Sequence, residues 1–181
     1  MESLFLRVAV VAAAVAAVGA LSVGAGGATA AGDPARAISA ENQLETEILT
    51  ALNAKRRARG LAPLRLSRPL STAADGHSQS MATYGYFAHE SRDGRGLLER
   101  VRPHYGRGSR WLAGENLLWS TPTVAASEAL QMWMDSPGHR RNMLAPRWRE
   151  IGLSAVSVPA APGVFGGRRV VLITADFGVR W

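Results

Sequence analysis

The sequence predicts an α+β domain, with helices through its first two thirds and strands in its last third. Two observations carry that expectation. Apolar residues recur at helical spacing from Leu44 to Trp133, whereas "EIGLSAVSV" and "RRVVLITADFG" near the C-terminus are rich in β-branched residues and bracket a Gly166–Gly167 turn. The 181 residues include no cysteine, so packing alone must hold the core.

Taken in order, Arg7 precedes an apolar run from Val8 to Val23 and then the small residues "GAGGATAAG". This reads as a secretory signal over residues 1–30, with an A-x-A site at Ala28, Thr29 and Ala30. The run is shorter than the roughly 20 residues a membrane span needs. Residues 31–40 read as a linker, and the folded domain as 41–181. Leu44, Ile48 and Leu52 mark a first helix, with Lys55, Arg56, Arg57 and Arg59 crowding its last turn before Gly60. Ser67 is placed to cap a second helix with the face Leu70, Ala74, His77 and Met81, ending near Tyr84 and Gly85. On that apolar stripe His77 is expected to be a hydrogen-bonded core residue.

Residues 87–110 read as irregular, with a helical stretch from Leu97 to Val101. Thr121 and Pro122 have the chemistry of a third helix start, with the face Ala125, Ala129, Met132 and Trp133. Ser136, Pro137 and Gly138 are expected to stop it and leave His139 in a turn. The two β-rich runs form an antiparallel hairpin around a proline-rich loop.

Net charge is +7, and the 21 basic side chains are all arginine except Lys55. Arginine suits carboxylate and phosphate partners, among them anionic wall polymers and lipid head groups. Nucleic acid is excluded as the expected partner, because no basic patch interleaves with aromatic stacking residues.

Most catalytic motifs fail on inspection. "HESRD" opens like H-E-x-x-H but has Asp93 at the second ligand position, followed by Gly94 and Gly96. No G-x-S-x-G elbow and no cysteine nucleophile exist. A dispersed set of His89, Glu115, Asp135 and His139 survives. Two imidazoles and two carboxylates suit zinc or another borderline divalent ion, and equally suit general acid–base chemistry. Asn116 is expected to satisfy backbone groups of the strand after it, and Trp119, Trp133 and Trp148 to form core or cleft wall.

Six ordered blocks, "LNAKRRARGLAPL", "AADGHSQSMATYGYFAHES", "GENL", "MWMDSPGHRRNML", "EIGL" and "TADFG", resemble the CAP superfamily of cysteine-rich secretory, antigen 5 and pathogenesis-related proteins, in a cysteine-free bacterial form. The resemblance implies a three-layer α-β-α sandwich with a central antiparallel sheet and a surface cleft holding two histidines and two acidic residues. By position these are His89, Glu115 and His139, with His89 and His139 the candidate metal ligands. For the fourth, the family's acidic residue falls where this sequence has Ser136. Asp135 is one residue early, which rotates it by roughly 100° on a helix, and Glu128 lies a turn before Trp133. The functional expectation is a secreted binding module engaging a lipid, a wall polymer or a protein partner. The alternative is a hydrolase of peptide or wall substrates in which His89 and His139 hold an ion and Glu115 activates water.

Overall fold

The spacing of Leu44, Ile48 and Leu52 produces a helix, α1 (Pro34–Arg57), in the computed structural model, which describes residues 34–106 and 110–181. Ile48 and Leu52 are fully buried, and Leu44 packs at the edge of the same cluster. The helix starts at Pro34 rather than Glu41, so residues 34–40 are helical and not a linker. Proline suits a first helical position, where the N–H it lacks has no partner in any case. The expected signal segment, 1–30, lies outside the described residues. Arg56 is fully buried and donates to Ala62 O at 2.9 Å and to Met143 O at 2.6 Å.

A two-residue strand, β1 (Arg65–Leu66), leads into α2 (Arg68–Tyr84), which buries Leu70, Ala74, His77 and Met81 on one face. Ser67 occupies the N-cap position, but its hydroxyl makes no capping bond. Gly85, with φ 67°, ends α2 in the left-handed conformation that glycine adopts without strain. α3 (Leu97–Tyr105) runs four residues beyond the expected stretch and packs Val101 and Tyr105 with Leu70 and Ala73 of α2.

The third expected helix starts late. α4 (Ala126–Asp135) begins four residues after Pro122, because the Glu128 carboxylate accepts the Ala125 N–H at 3.0 Å and supplies the cap expected of Thr121. Pro137 and Gly138 then open a short helix, α5 (Pro137–Met143), instead of ending one. His139 therefore sits in a helix, not in a turn.

The hairpin forms as expected from β3 (Glu150–Ala161) and β4 (Arg168–Arg180), joined by a 3-10 turn at Gly163–Phe165. The proline-rich stretch belongs partly to β3, at a register shift between Val158 and Ala161 where a missing ladder donor is tolerated. β2 (Trp111–Ser120) pairs antiparallel with the other edge of β4, giving the order β1-β3-β4-β2. The sheet is mixed, not wholly antiparallel. β1 runs parallel to β3, with Leu66 opposite Ile151, which the long helical crossover between them permits.

Alternation along the strands builds two cores. Ile151, Leu153, Ile173, Ala175 and Phe177 face α1 and α4, whereas Val156, Leu172 and Leu117 face Met81 and Ala82 of α2. Helices thus cover both faces, and the three layers form the α-β-α sandwich that the resemblance implied.

Candidate functional site

Strand alternation decides where the site lies. Leu117 faces α2, so Glu115, two residues back on β2, faces the α2–α3 layer, and Asn116 between them faces the α4–α5 layer. The Glu115 side chain is 2 % exposed, and both of its oxygens are taken. Oε1 lies 2.7 Å from His89 Nδ1, and Oε2 accepts from Arg100 Nη2 at 2.6 Å. Arg100, 8 % exposed and carried on α3, also donates from Nη1 to His89 O at 2.6 Å. A carboxylate can only accept, so His89 Nδ1 donates and its Nε2 keeps a free lone pair in the neutral ring. That ring is 60 % exposed.

Beneath this cluster lies Asp176, directly opposite Glu115 in the β2–β4 ladder and 1 % exposed. Burial pushes its carboxyl well above the usual carboxylate range, and the Glu115 charge pushes it further. With Arg100 fixed on Glu115, the proton belongs on Asp176, whose Oδ1 is buried without a hydrogen-bond partner. Neither Asp176 nor Arg100 was among the residues expected at the site. A lone carboxylate inside the apolar run "VVLITADFG" was a signal for the first. Nothing distinguished Arg100 from the other arginines.

His139 approaches from the opposite layer. Its carbonyl accepts from Asn116 Nδ2 at 3.1 Å, and Asn142 Nδ2 donates to Asn116 Oδ1 at 3.0 Å. Trp148 Nε1 closes the chain of bonds on Asn142 at 3.0 Å. Asn116 thus holds α5 rather than the backbone of its own strand. Burial, and then repulsion from the nearby His89 imidazole in its protonated form, lower the His139 pKa, so His139 is neutral at pH 7. Trp133 and Trp148 are core residues, and Trp119 is half-buried against Phe165.

Asp135 does not join the cluster. It is exposed and accepts from Gln131 Nε2 at 2.8 Å, the orientation that its early position on the helix implied. Glu128 is spent on its cap. His77 is a core residue as expected: Nε2 donates to Ala88 O at 2.9 Å, with Glu115 Oε2 4.0 Å away. Among the described residues no three histidine, aspartate or glutamate side chains converge as metal ligands. His89 and His139 supply two imidazoles, while Glu115 is committed to His89 and Arg100. This donor set falls short of the three protein ligands that a catalytic zinc site uses.

Residues 49–170 match the CAP sequence profile, described as the cysteine-rich secretory protein family. The chain belongs to the CAP family. Its CAP domain is 32 % identical over 118 residues to the uncharacterized protein YkwD of Bacillus subtilis, covering 65 % of this chain and 44 % of that one. It is 28 % identical over 95 residues to human Golgi-associated plant pathogenesis-related protein 1, covering 52 % of each. The chain thus spans about half or less of the curated relatives it matches. Among solved structures, an extracellular SCP-domain protein from Bacillus anthracis superposes with TM-score 0.64 at 28 % identity, covering 80 % of this chain and 43 % of that one. An outer surface protein from Borrelia burgdorferi shares the fold, with TM-score 0.60 at 15 % identity over 77 % of this chain and 94 % of its own.

Proposed function

We propose that this CAP protein is an exported binding module whose basic surface and His89–His139 rim engage an anionic polymer of the cell envelope. One observation carries the reading. Glu115, the group a hydrolase would need to activate water, is buried with both oxygens held by His89 and Arg100. A carboxylate so occupied orients its partners and has no free lone pair facing solvent. The net charge of +7 and the likeness to an extracellular SCP-domain protein support an envelope setting. Retention of the protein on anionic wall polymer across a salt series is the test. Binding that weakens steadily with ionic strength is expected, and equal retention on neutral polymer sinks the reading.

A second reading rests on the Glu115–His89 bond. It leaves Nε2 of an exposed imidazole with a free lone pair beside neutral His139, the arrangement of an acid–base pair. Turnover of peptide or wall substrates that disappears in both His89→Ala and His139→Ala favours this reading over the first.

A further inference from the structure

A cavity of about 580 Å³ lies between α2, α3 and residues 91–95, and neither His89 nor His139 lines it. Its size falls within the roughly 300–1,000 Å³ of small-ligand pockets. The wall at 91–95 is fixed in advance. Ser91 N–H donates to Arg95 O at 2.9 Å, Gly94 N–H to Ser91 O at 2.8 Å, and Arg100 Nη1 reaches Arg95 O at 3.3 Å. A wall held in this way loses little freedom when a ligand arrives.

The lining selects for an anion. Arg92, Arg95 and Arg100 face it against the single carboxylate of Asp93. Asp93 satisfies Arg95 at 2.7 Å and Glu115 satisfies Arg100 at 2.6 Å. Arg92 has no hydrogen-bond or ion-pair partner among the described residues. Its guanidinium lies 4.7 Å over the Tyr84 ring, which fixes its plane and leaves the N–H edge open to a carboxylate or phosphate. Two other lining residues hold buried polar atoms without partners, Arg100 Nε and His77 Nδ1.

Gly76 lines the cavity from the α2 side. It lies mid-helix in α2, where glycine is destabilising relative to alanine, yet a Cβ there would meet no atom within 4 Å. No packing demand accounts for it; its effect is to leave the α2 wall open.

We propose that this cavity binds a sugar unit carrying a carboxylate or phosphate. Arg92 takes the anionic group, and Ser91 takes a ring hydroxyl beside the half-exposed Tyr84 ring. The proposal deepens the binding reading above and rests on it only for where such a sugar is met. The test is a backbone amide chemical-shift titration of the whole chain with glucuronate, glucose 6-phosphate and glucose.

Glucuronate and glucose 6-phosphate are expected to shift amides of α2, α3 and residues 91–95, with glucose weaker by about tenfold or more, the weight of one charged hydrogen bond. Arg92→Gln should weaken the anionic sugars by a similar factor. Gly76→Leu should abolish their binding while Tm stays level or rises, so that loss of fold is not mistaken for loss of site. Unchanged spectra at millimolar sugar, undiminished binding in Gly76→Leu, or displacement of glucuronate by phosphatidylglycerol vesicles would each overturn the proposal. Polymer retention without glucuronate binding would leave the binding module standing and remove this site. Glucuronate binding without polymer retention would do the reverse.

Discussion

Replacing Asp176 by asparagine should stabilise the protein at neutral pH, an unusual result for a fully buried position. Glu115 and Asp176 are directly opposed in the β2–β4 ladder, a placement that sets Cβ atoms about 5 Å apart. Two negative charges at that separation, at an effective dielectric of about 20, repel by about 3 kcal/mol, so the folded protein keeps a proton there. The sign follows from proton counting. Above about pH 4 an unfolded aspartate gives up its proton while folded Asp176 keeps it, so the native state binds more protons and stability falls as pH rises. The loss is about 1.4 kcal/mol per pH unit until the raised native pKa is passed.

Asparagine keeps the shape of the protonated side chain and carries no charge, and it has no proton to lose. The advantage of Asp176→Asn over the parent should therefore grow from pH 4 upward at that slope. For a domain of this size the corresponding change in Tm is about 3–5 °C per pH unit. Urea unfolding at a series of pH values, read by circular dichroism, measures it. A difference between the two proteins that does not change from pH 4 to 6, or a loss of stability in Asp176→Asn at pH 7, refutes the protonated pair.

Four other expectations follow from the site and its supports. Arg56→Ala should cost about 3–5 kcal/mol by urea unfolding, since it strands the carbonyls of Ala62, Met143 and Ala145 in the interior. In an imidazole NMR titration His139 should titrate below the ordinary histidine value and move upward in His89→Gln, which removes a neighbouring positive charge; because burial is the larger cause, part of the depression should persist. Both His77 and His139 have lowered pKa values, so in Asp176→Asn, where the opposing carboxyl contribution is gone, urea unfolding should show stability falling as pH drops below about 6.5, where the unfolded imidazoles take up protons first. Asp135→Asn should change stability by less than about 0.5 kcal/mol and leave the His89 and His139 resonances in place, because Asp135 touches only Gln131 on an exposed face.

Helix periodicity was legible because it reflects burial directly: Ile48, Leu52, Leu70, Ala74 and Met81 are each fully buried. Helix ends were harder to read. The start of α4 depends on whether Glu128 or Thr121 provides the cap, and local chemistry permits both. Pro137 and Gly138 can stop a helix or start one, and only the layer beyond them decides. Of the site, His89, Glu115 and His139 were reachable through ordered blocks of sequence. Asp176 was not, because its meaning comes from Glu115, a cross-strand partner far away in the sequence. Arg100 shares that difficulty, since its value depends on α3 folding back over β2. Asp135 failed for a local reason: a single position on a helix turned it toward Gln131 and away from the imidazoles.

Glu115 and Asn116 are neighbours in sequence that serve opposite sides of the sheet, one gripping His89 and Arg100, the other the His139 carbonyl and Asn142. The pair works as a rivet through β2, joining the two helical layers at the open edge of the sheet. Its alignment has no tolerance for slippage, because a shift of β2 by one residue would present an amide to Arg100 and a carboxylate to α5. Strand register is thus the variable that assembles this rim. An insertion or deletion between Trp111 and Glu115 should unmake it even where every named side chain is retained.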